Sequence, residues 1–167
     1  TFFKSKRYLG VIFYIISGFI FLTLIPYIGS TFQPKLVLGI FILTWTNDTF
    51  AYLIGKKFGK RKLKEKISPK KTIEGFIGGL LAALIGGVII FNTTLLYSPA
   101  FWLLLALLVS VLGTTGDLIQ SKFKRLAGVK DSGRIMPGHG GVYDRLDSII
   151  FASPFIYLFI IFINYVS

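Results

Sequence analysis

Four aspartates, Asp48, Asp117, Asp144 and Asp147, are the residues best suited to chemistry in this chain, because each lies inside or at the end of a long apolar run. Three of them belong to segment 117–148, which also holds the only His, the only Met and six of the 19 Lys and Arg. Asp117, Asp144 and Asp147 together supply hard oxygen donors of the kind magnesium accepts alongside substrate phosphates. Asp144 and Asp147 are three residues apart, so a helix there would put them on one face. The same segment carries Lys122, Lys124, Arg125, Lys130 and Arg134. That density of cations suits a triphosphate or a phospholipid headgroup, since Arg grips phosphate oxygens with a planar fork; contact with anionic lipid accounts for some of it. Between cations and acids lies Gly138-His139-Gly140-Gly141, whose glycines permit a tight turn and close backbone approach to a ligand.

Two further groups look toward the same chemistry. Asp48 sits with Thr44, Thr46, Asn47 and Thr49 inside an apolar run, roughly 10 Å from its end at helical rise. A carboxylate at that depth is costly unless paired, hydrated or metal-bound, which makes function the default reading beside a structural hydrogen bond to a neighbouring helix. Lys70 and Lys71 follow Ser68-Pro69, which reads as a helix start, and Glu74 falls early enough to favour the positive end of that helix. Lysines there can hold phosphate, whereas the basic run 56–66 reads as a loop on the membrane surface. On a helix continuing past 113, Thr114, Asp117, Ser121 and Lys124 share one face, a stripe of hydroxyl, carboxylate and ammonium groups.

The elements that must position these groups are membrane helices. The chain of 167 residues is 53% hydrophobic and 16% aromatic, with mean hydropathy +0.71, too apolar for an ordinary soluble domain. Segments 8–28, 36–55, 73–91, 100–119 and 148–166 are each long and apolar enough to cross a hydrocarbon core of roughly 30 Å as helices. No strand-like alternation argues for a barrel. The expected fold is an all-α polytopic bundle of about five transmembrane helices, forming a single membrane-embedded catalytic domain over 1–167. Small residues recur every fourth position in the third segment, at Gly75, Gly79, Ala83, Gly87 and at Gly78, Ala82, Gly86. Such ladders let helices approach closely, and they are compatible with a homodimer.

The net charge of +12 gathers at 4–7, 56–71 and 122–145, with only Lys35 elsewhere, while 29–35 and 92–99 are nearly uncharged. If the spans alternate, all three clusters share one side. The positive-inside rule makes that side cytoplasmic, with the N-terminus inside, the C-terminus outside and the site at the cytoplasmic face. Anionic headgroups and a phosphate-rich substrate account for the excess better than nucleic acid does. The absence of Cys excludes disulfides and thiolate metal sites. The opening on Thr1 rather than Met is what a piece of a longer chain would show.

Three blocks together resemble one family. The longest is Ser121-Lys122-x-Lys124-Arg125-x4-Lys130-Asp131-x-Gly133-x2-Met136-Pro137-Gly138-His139-Gly140-Gly141-x-x-Asp144-Arg145-x-Asp147. Before it stand Asn47-Asp48-Thr49-x-Ala51-Tyr52-x2-Gly55-x3-Gly59 and Ser68-Pro69-Lys70-Lys71-Thr72-x-Glu74-Gly75-x2-Gly78-Gly79. In that order they are similar to the signature of the phosphatidate cytidylyltransferase (CDP-diacylglycerol synthase) family, and the likeness covers essentially the whole chain as the C-terminal portion of that family. Met136 and Ile73 depart from the family's usual aliphatic residue and Trp, respectively; neither is an expected ligand.

The resemblance implies transfer of CMP from CTP to phosphatidic acid, giving CDP-diacylglycerol and pyrophosphate in phospholipid biosynthesis. It implies Mg2+ as cofactor, with room for a second cation, and a bacterial inner (plasma) membrane as location. It maps metal binding onto Asp117 and Asp144, with Asp147 and Asp48 as supporting ligands. It gives Ser121, Lys122, Lys124 and Arg125 a grip on CTP or lipid phosphate, Lys124 and Arg125 counting with the two acids as catalytic. Lys70, Lys71, Lys130, Gly140, Gly141 and Arg145 support substrate binding, and His139 either bonds a phosphate or orders the glycine turn. The alternatives are a CTP-dependent enzyme acting on another lipid phosphate or a polyprenol, an ion or proton transporter using Asp48 and Asp117, and a catalytically inactive assembly subunit.

Overall fold

The computed structural model describes residues 2–28, 32–65, 67–129, 132, 141, 144 and 146–166, with the side chains of 2–9 and 11–12 set aside. The apolar runs are helices: α1 Phe2–Leu24, α2 Pro34–Phe58, α3 Ile73–Thr94, α4 Pro99–Leu126 and α5 Asp147–Val166. A 3-10 turn, Ile25–Tyr27, follows α1, and a two-stranded antiparallel ribbon, β1 Lys62–Lys64 and β2 Ser68–Thr72, links α2 to α3. Among the described residues, α2 to α5 are long and apolar enough to cross a membrane, and α1 contributes the shorter apolar run Phe13–Tyr27. An all-α membrane protein is therefore what the chain builds.

Local chemistry sets the helix starts. Pro34 and Pro99 open α2 and α4, where a missing N–H costs nothing. Ser98 caps α4, its Oγ accepting from Phe101 N at 3.2 Å. The start of α3 differs from the expectation. Ser68-Pro69 does not begin a helix; it lies in β2, and Thr72 is the cap, its Oγ1 accepting from Gly75 N at 3.1 Å. Proline is tolerated in β2 because both strands of a two-stranded ribbon are edges.

In sequence α2 packs on α3, α3 on α4, α4 on α5 and α5 on α1. The core between them is built on Trp102, Phe101, Leu36, Ile40, Leu43, Leu105, Ile156 and Ile160, all essentially inaccessible. In lipid, close packing rather than water exclusion holds such helices, and the glycines of α3 supply it. A Cβ on Gly79 would stand 2.6 Å from Asn47 O, one on Gly75 2.6 Å from Ala51 O, and one on Gly87 2.9 Å from Trp102 O. Gly78 likewise lies against Ile54. Both small-residue ladders are thus engaged within the chain, by α2 and α4.

Two consequences bear on the site. The described part of α4 runs unbroken to Leu126, beyond the expected end at 119, so Asp117, Ser121 and Lys124 ride on one rigid helix. Helix α2 runs to Phe58, which leaves Asp48 ten residues from its end, roughly 15 Å along the axis.

Candidate active site

The C-terminal half of α2, the ribbon, the start of α3, the end of α4 and the start of α5 enclose a cleft of about 1120 Å³. Its walls include Asn47, Asp48, Lys70, Lys71, Thr114, Asp117, Lys124, Asp144, Asp147 and Ser148. The four candidate acids thus meet in one cleft although they come from α2, α4, α5 and the turn before α5. Asp117 is near enough to Asp48 and Asp147 for its charge to act on both.

Each acid has its own support. Lys71, the penultimate residue of β2, forms an ion pair with Asp117 Oδ2, and Ser121 Oγ, one turn further along α4, donates to Asp117 Oδ1 at 3.2 Å. Asn47 Nδ2 donates to Asp48 Oδ1 at 3.2 Å. Asp147 accepts from Ser148 N at 2.9 Å in the first turn of α5, where the helix dipole favours an anion.

Asp144 is the most fully engaged. Lys124 Nζ donates to its Oδ1 at 2.9 Å, while Ser132 N and Gly141 N donate to its Oδ2 at 2.8 and 2.9 Å. Burial alone would raise its pKa, but the donors from Gly141, Lys124 and Ser132 outweigh it and hold the carboxyl at about 2. It is ionised wherever the protein is folded at ordinary pH. Contrary to the helical expectation, Asp144 and Asp147 do not share a helix face. Helix α5 begins at Asp147, and Asp144 lies ahead of it, its carboxylate turned to the backbone N–H groups of Ser132 and Gly141.

The stripe expected on α4 reaches the cleft through Thr114, Asp117 and Lys124, with Ser121 bonded to Asp117. Lys122 and Arg125 are exposed on the same helix and do not line the cleft. Gly141 is buried and bonded to Asp144. Lys130, His139, Gly140 and Arg145 lie outside the described residues. Lys56 and Lys62, from the run read as a surface loop, line the cleft, with Lys62 on β1. Glu74 accepts from Lys60 N at 3.0 Å and from Arg61 N at 3.1 Å, tying the start of α3 to the loop after α2.

Sequence reasoning missed Asn47 as a site residue. It is 2% exposed, lines the cleft and holds Asp48 through its amide nitrogen, and among the described residues its Oδ1 has no partner. A short polar residue beside an acid inside an apolar run was the available signal.

As donors the acids suit magnesium: hard carboxylate oxygens, at least one held ionised, converging on a polar cleft. Among the described residues, no three of them stand together as a ready ligand set, and ammonium groups of Lys71 and Lys124 occupy the position of counter-charge at Asp117 and Asp144.

A phosphatidate cytidylyltransferase of Staphylococcus aureus (strain COL) is 50% identical over 131 residues, covering 75% of this chain and 48% of that protein. One of Staphylococcus haemolyticus (strain JCSC1435) is 47% identical over 132 residues, with the same coverage. One of Bacillus subtilis (strain 168) is 50% identical over 117 residues, covering 70% of this chain and 44% of its own. The chain spans about half the length of the curated relatives it matches. The cytidylyltransferase family model matches residues 2–163, which include every block of the signature and every acid of the cleft, and the chain belongs to that family.

Proposed function

We propose that this chain carries the active site of a CTP:phosphatidate cytidylyltransferase. A phosphate oxygen of phosphatidic acid attacks the α-phosphorus of CTP, the bond from that phosphorus to the β-phosphate oxygen breaks, and pyrophosphate leaves with its electron pair. The products are CDP-diacylglycerol and pyrophosphate. A phosphomonoester is already ionised near neutrality, so the step asks little of a general base. It asks for two anions to be held together and for the leaving group's charge to be met.

One observation carries the reading: lysines from the ribbon and α4 converge with four aspartates on a single cleft at the ends of membrane-spanning helices. In this reading Asp117 and Asp144 hold Mg2+, with Asp147 and Asp48 supporting, and a second cation has donors to spare. Bound there, the metal would supply charge neutralisation between the substrates and on the departing pyrophosphate. Lys70, Lys71 and Lys124 meet phosphate oxygens, Ser121 steadies Asp117, and Lys122, Arg125, Lys130, Arg145, His139 and the Gly140-Gly141 backbone complete the grip on CTP. The chain contributes five spans to a bacterial plasma membrane, with its N-terminus and this cleft on the cytoplasmic side, where CTP is available. Pairing of two copies is part of the proposal only through apolar outer faces, since the glycine ladders already pack within the chain.

The test uses the protein carrying this chain, purified in detergent, with labelled CTP, phosphatidic acid and magnesium. We expect labelled CDP-diacylglycerol, abolished by EDTA and restored by excess magnesium. CTP-dependent labelling of a polyprenol or another lipid phosphate, with none of phosphatidic acid, would replace the substrate assigned here. No CTP-dependent product with any lipid would overturn the reading.

A further inference from the structure

The polar cleft does not end at its charged walls. A second cavity of about 240 Å³ adjoins it, and the two share Leu63, Phe76 and Thr114 as lining. On α4 they occupy adjacent faces. Thr114, Asp117 and Lys124 line the cleft, while Val111, Thr115 and Leu118 line the smaller cavity. One step along a helix turns the side chain by about 100°, so Thr114 and Thr115 divide the polar face from the apolar one. Strand β1 borders both cavities. Leu63 is turned inward between exposed Lys62 and Lys64, Lys62 on the cleft and Lys64 on the smaller cavity. The smaller cavity is therefore an apolar groove with an ammonium at its rim, walled by two helices that cross the membrane. It opens at Val111, which is 42% exposed on one of them.

We propose that this groove seats the headgroup-proximal part of one acyl chain of the lipid phosphate whose phosphate lies in the cleft. Leu63, Phe76 and Thr114 form the junction where the lipid passes from polar to apolar surroundings. The proposal rests on the lipid-phosphate reading above and adds the place and the chemistry by which the lipid part is recognised. A membrane lipid drawn whole into a polar cleft would expose its methylenes to water. A lateral groove continuous with the cleft lets the phosphate reach the lysines while the chain stays against apolar side chains and the bilayer. The groove is also short, so it selects for an apolar chain next to the glycerol rather than for total chain length.

Two measurements test this on the full protein. A phosphatidate with a photoreactive diazirine near the start of one acyl chain should label the peptides containing Phe76 and residues 111–118. Unlabelled phosphatidate should compete, and phosphatidylcholine should not. Label spread evenly over the outer faces of the bundle, or not competed by phosphatidate, would mean that bulk lipid fills the groove and would overturn the proposal. The second measurement uses Val111→Phe, a substitution at an exposed position outside the catalytic cleft, which narrows the groove mouth. We expect KM for dioleoyl and for dihexanoyl phosphatidate to rise alike, on the order of tenfold, with KM for CTP unchanged. No change for either lipid, or an equal rise in KM for CTP, overturns the groove. If the wild-type protein turns over no lipid phosphate with CTP yet shows competed labelling of the groove, the reaction assignment falls and the groove stands.

Discussion

Replacing Asp144 by Asn removes one charge from a group with three named donors. Lys124 Nζ reaches Oδ1 at 2.9 Å, and Ser132 N and Gly141 N reach Oδ2 at 2.8 and 2.9 Å. The amide of Asn keeps one acceptor and gains two donors. If its oxygen faces the two backbone N–H groups, its nitrogen faces an ammonium; turned over, it faces the N–H pair. At least one charge-assisted bond is lost and donors are left opposed. The carboxyl stands at about 2 against an ordinary 3.8, a displacement worth at most ~2.5 kcal/mol. Solvent screening at the cleft reduces this to roughly 1–2 kcal/mol. That is enough to loosen the tie between α4 and the backbone at Ser132 and Gly141, and too little to unfold the helices, whose apolar packing does not involve Asp144.

Amide hydrogen exchange at Ser132 and Gly141, followed beside turnover, reads this directly. In Asp144→Asn at neutral pH we expect both amides to exchange on the order of tenfold faster, as a loss near 1.4 kcal/mol requires. The helical amides should be unchanged, and turnover should be abolished at any magnesium concentration. In the wild-type protein the folded pKa is depressed, so the contribution is fully present above about pH 4 and fades as pH falls toward 2. Unchanged protection at Ser132 and Gly141 in the variant would refute the geometry. Wild-type protection lost near pH 6 would refute the assignment of the titrating group, and retained turnover at saturating magnesium would remove Asp144 from the metal site.

Lys71→Met breaks a pair whose side chains are 28% and 30% exposed, so stability should shift by under ~1 kcal/mol, while turnover falls on the order of 100-fold; thermal unfolding in detergent beside kcat reads both, and a large melting shift with normal turnover would reverse the assignment. Glu74→Gln weakens the acceptor for the N–H groups of Lys60 and Arg61, and limited trypsin digestion should then cut faster at the lysines of the 56–66 run with the helices intact; an unchanged digestion pattern contradicts the tie. Gly79→Ala puts a Cβ 2.6 Å from Asn47 O and 2.9 Å from Ala51 Cβ, which should destabilise the α2–α3 contact by ~1–3 kcal/mol. Gly86→Ala, 3.5 Å from Leu43 Cδ2, should be nearly neutral, and equal melting temperatures for the two variants would show that the ladder is not what sets helix approach.

The helices and the polar stripe on α4 could be read from the chain because both are periodic. Length and apolarity mark a span, and residues three and four apart mark a face, so Asp117, Ser121 and Lys124 were visible as neighbours before any fold was known. The ribbon could not be read that way. Lys62–Lys64 and Ser68–Thr72 hold little apolar alternation beyond Leu63, and Ser68-Pro69 mimics a helix start, whereas Thr72 is the residue that offers its hydroxyl to an unpaired N–H. The same blindness hid the roles of Lys56 and Lys62, since a basic run looks alike on a membrane surface and on a cleft wall. Partner choice was equally illegible. That Lys71 meets Asp117 and Lys124 meets Asp144 depends on how α4 lies against β2 and the turn before α5, and no spacing within one element encodes it.

Among the described residues, the cleft wall carries Lys56, Lys62, Lys70, Lys71 and Lys124 against Asp48, Asp117, Asp144 and Asp147, so its charge is nearly balanced. Such balance suits a site at the end of membrane helices, where unpaired charge is costly. It also limits what the site can accept. A triphosphate and a phosphomonoester bring several negative charges that a balanced cleft cannot meet with its existing pairs closed. Either a cation enters beside the carboxylates, or the lysines leave them for phosphate oxygens, and each event favours the other. A cation at Asp117 would release the ammonium of Lys71, and a phosphate engaging Lys71 would leave Asp117 in need of one. The ion pairs of this structure therefore mark the points at which metal and nucleotide would depend on each other in the proposed reaction. A cleft lined by lysines alone would hold phosphate without any such dependence.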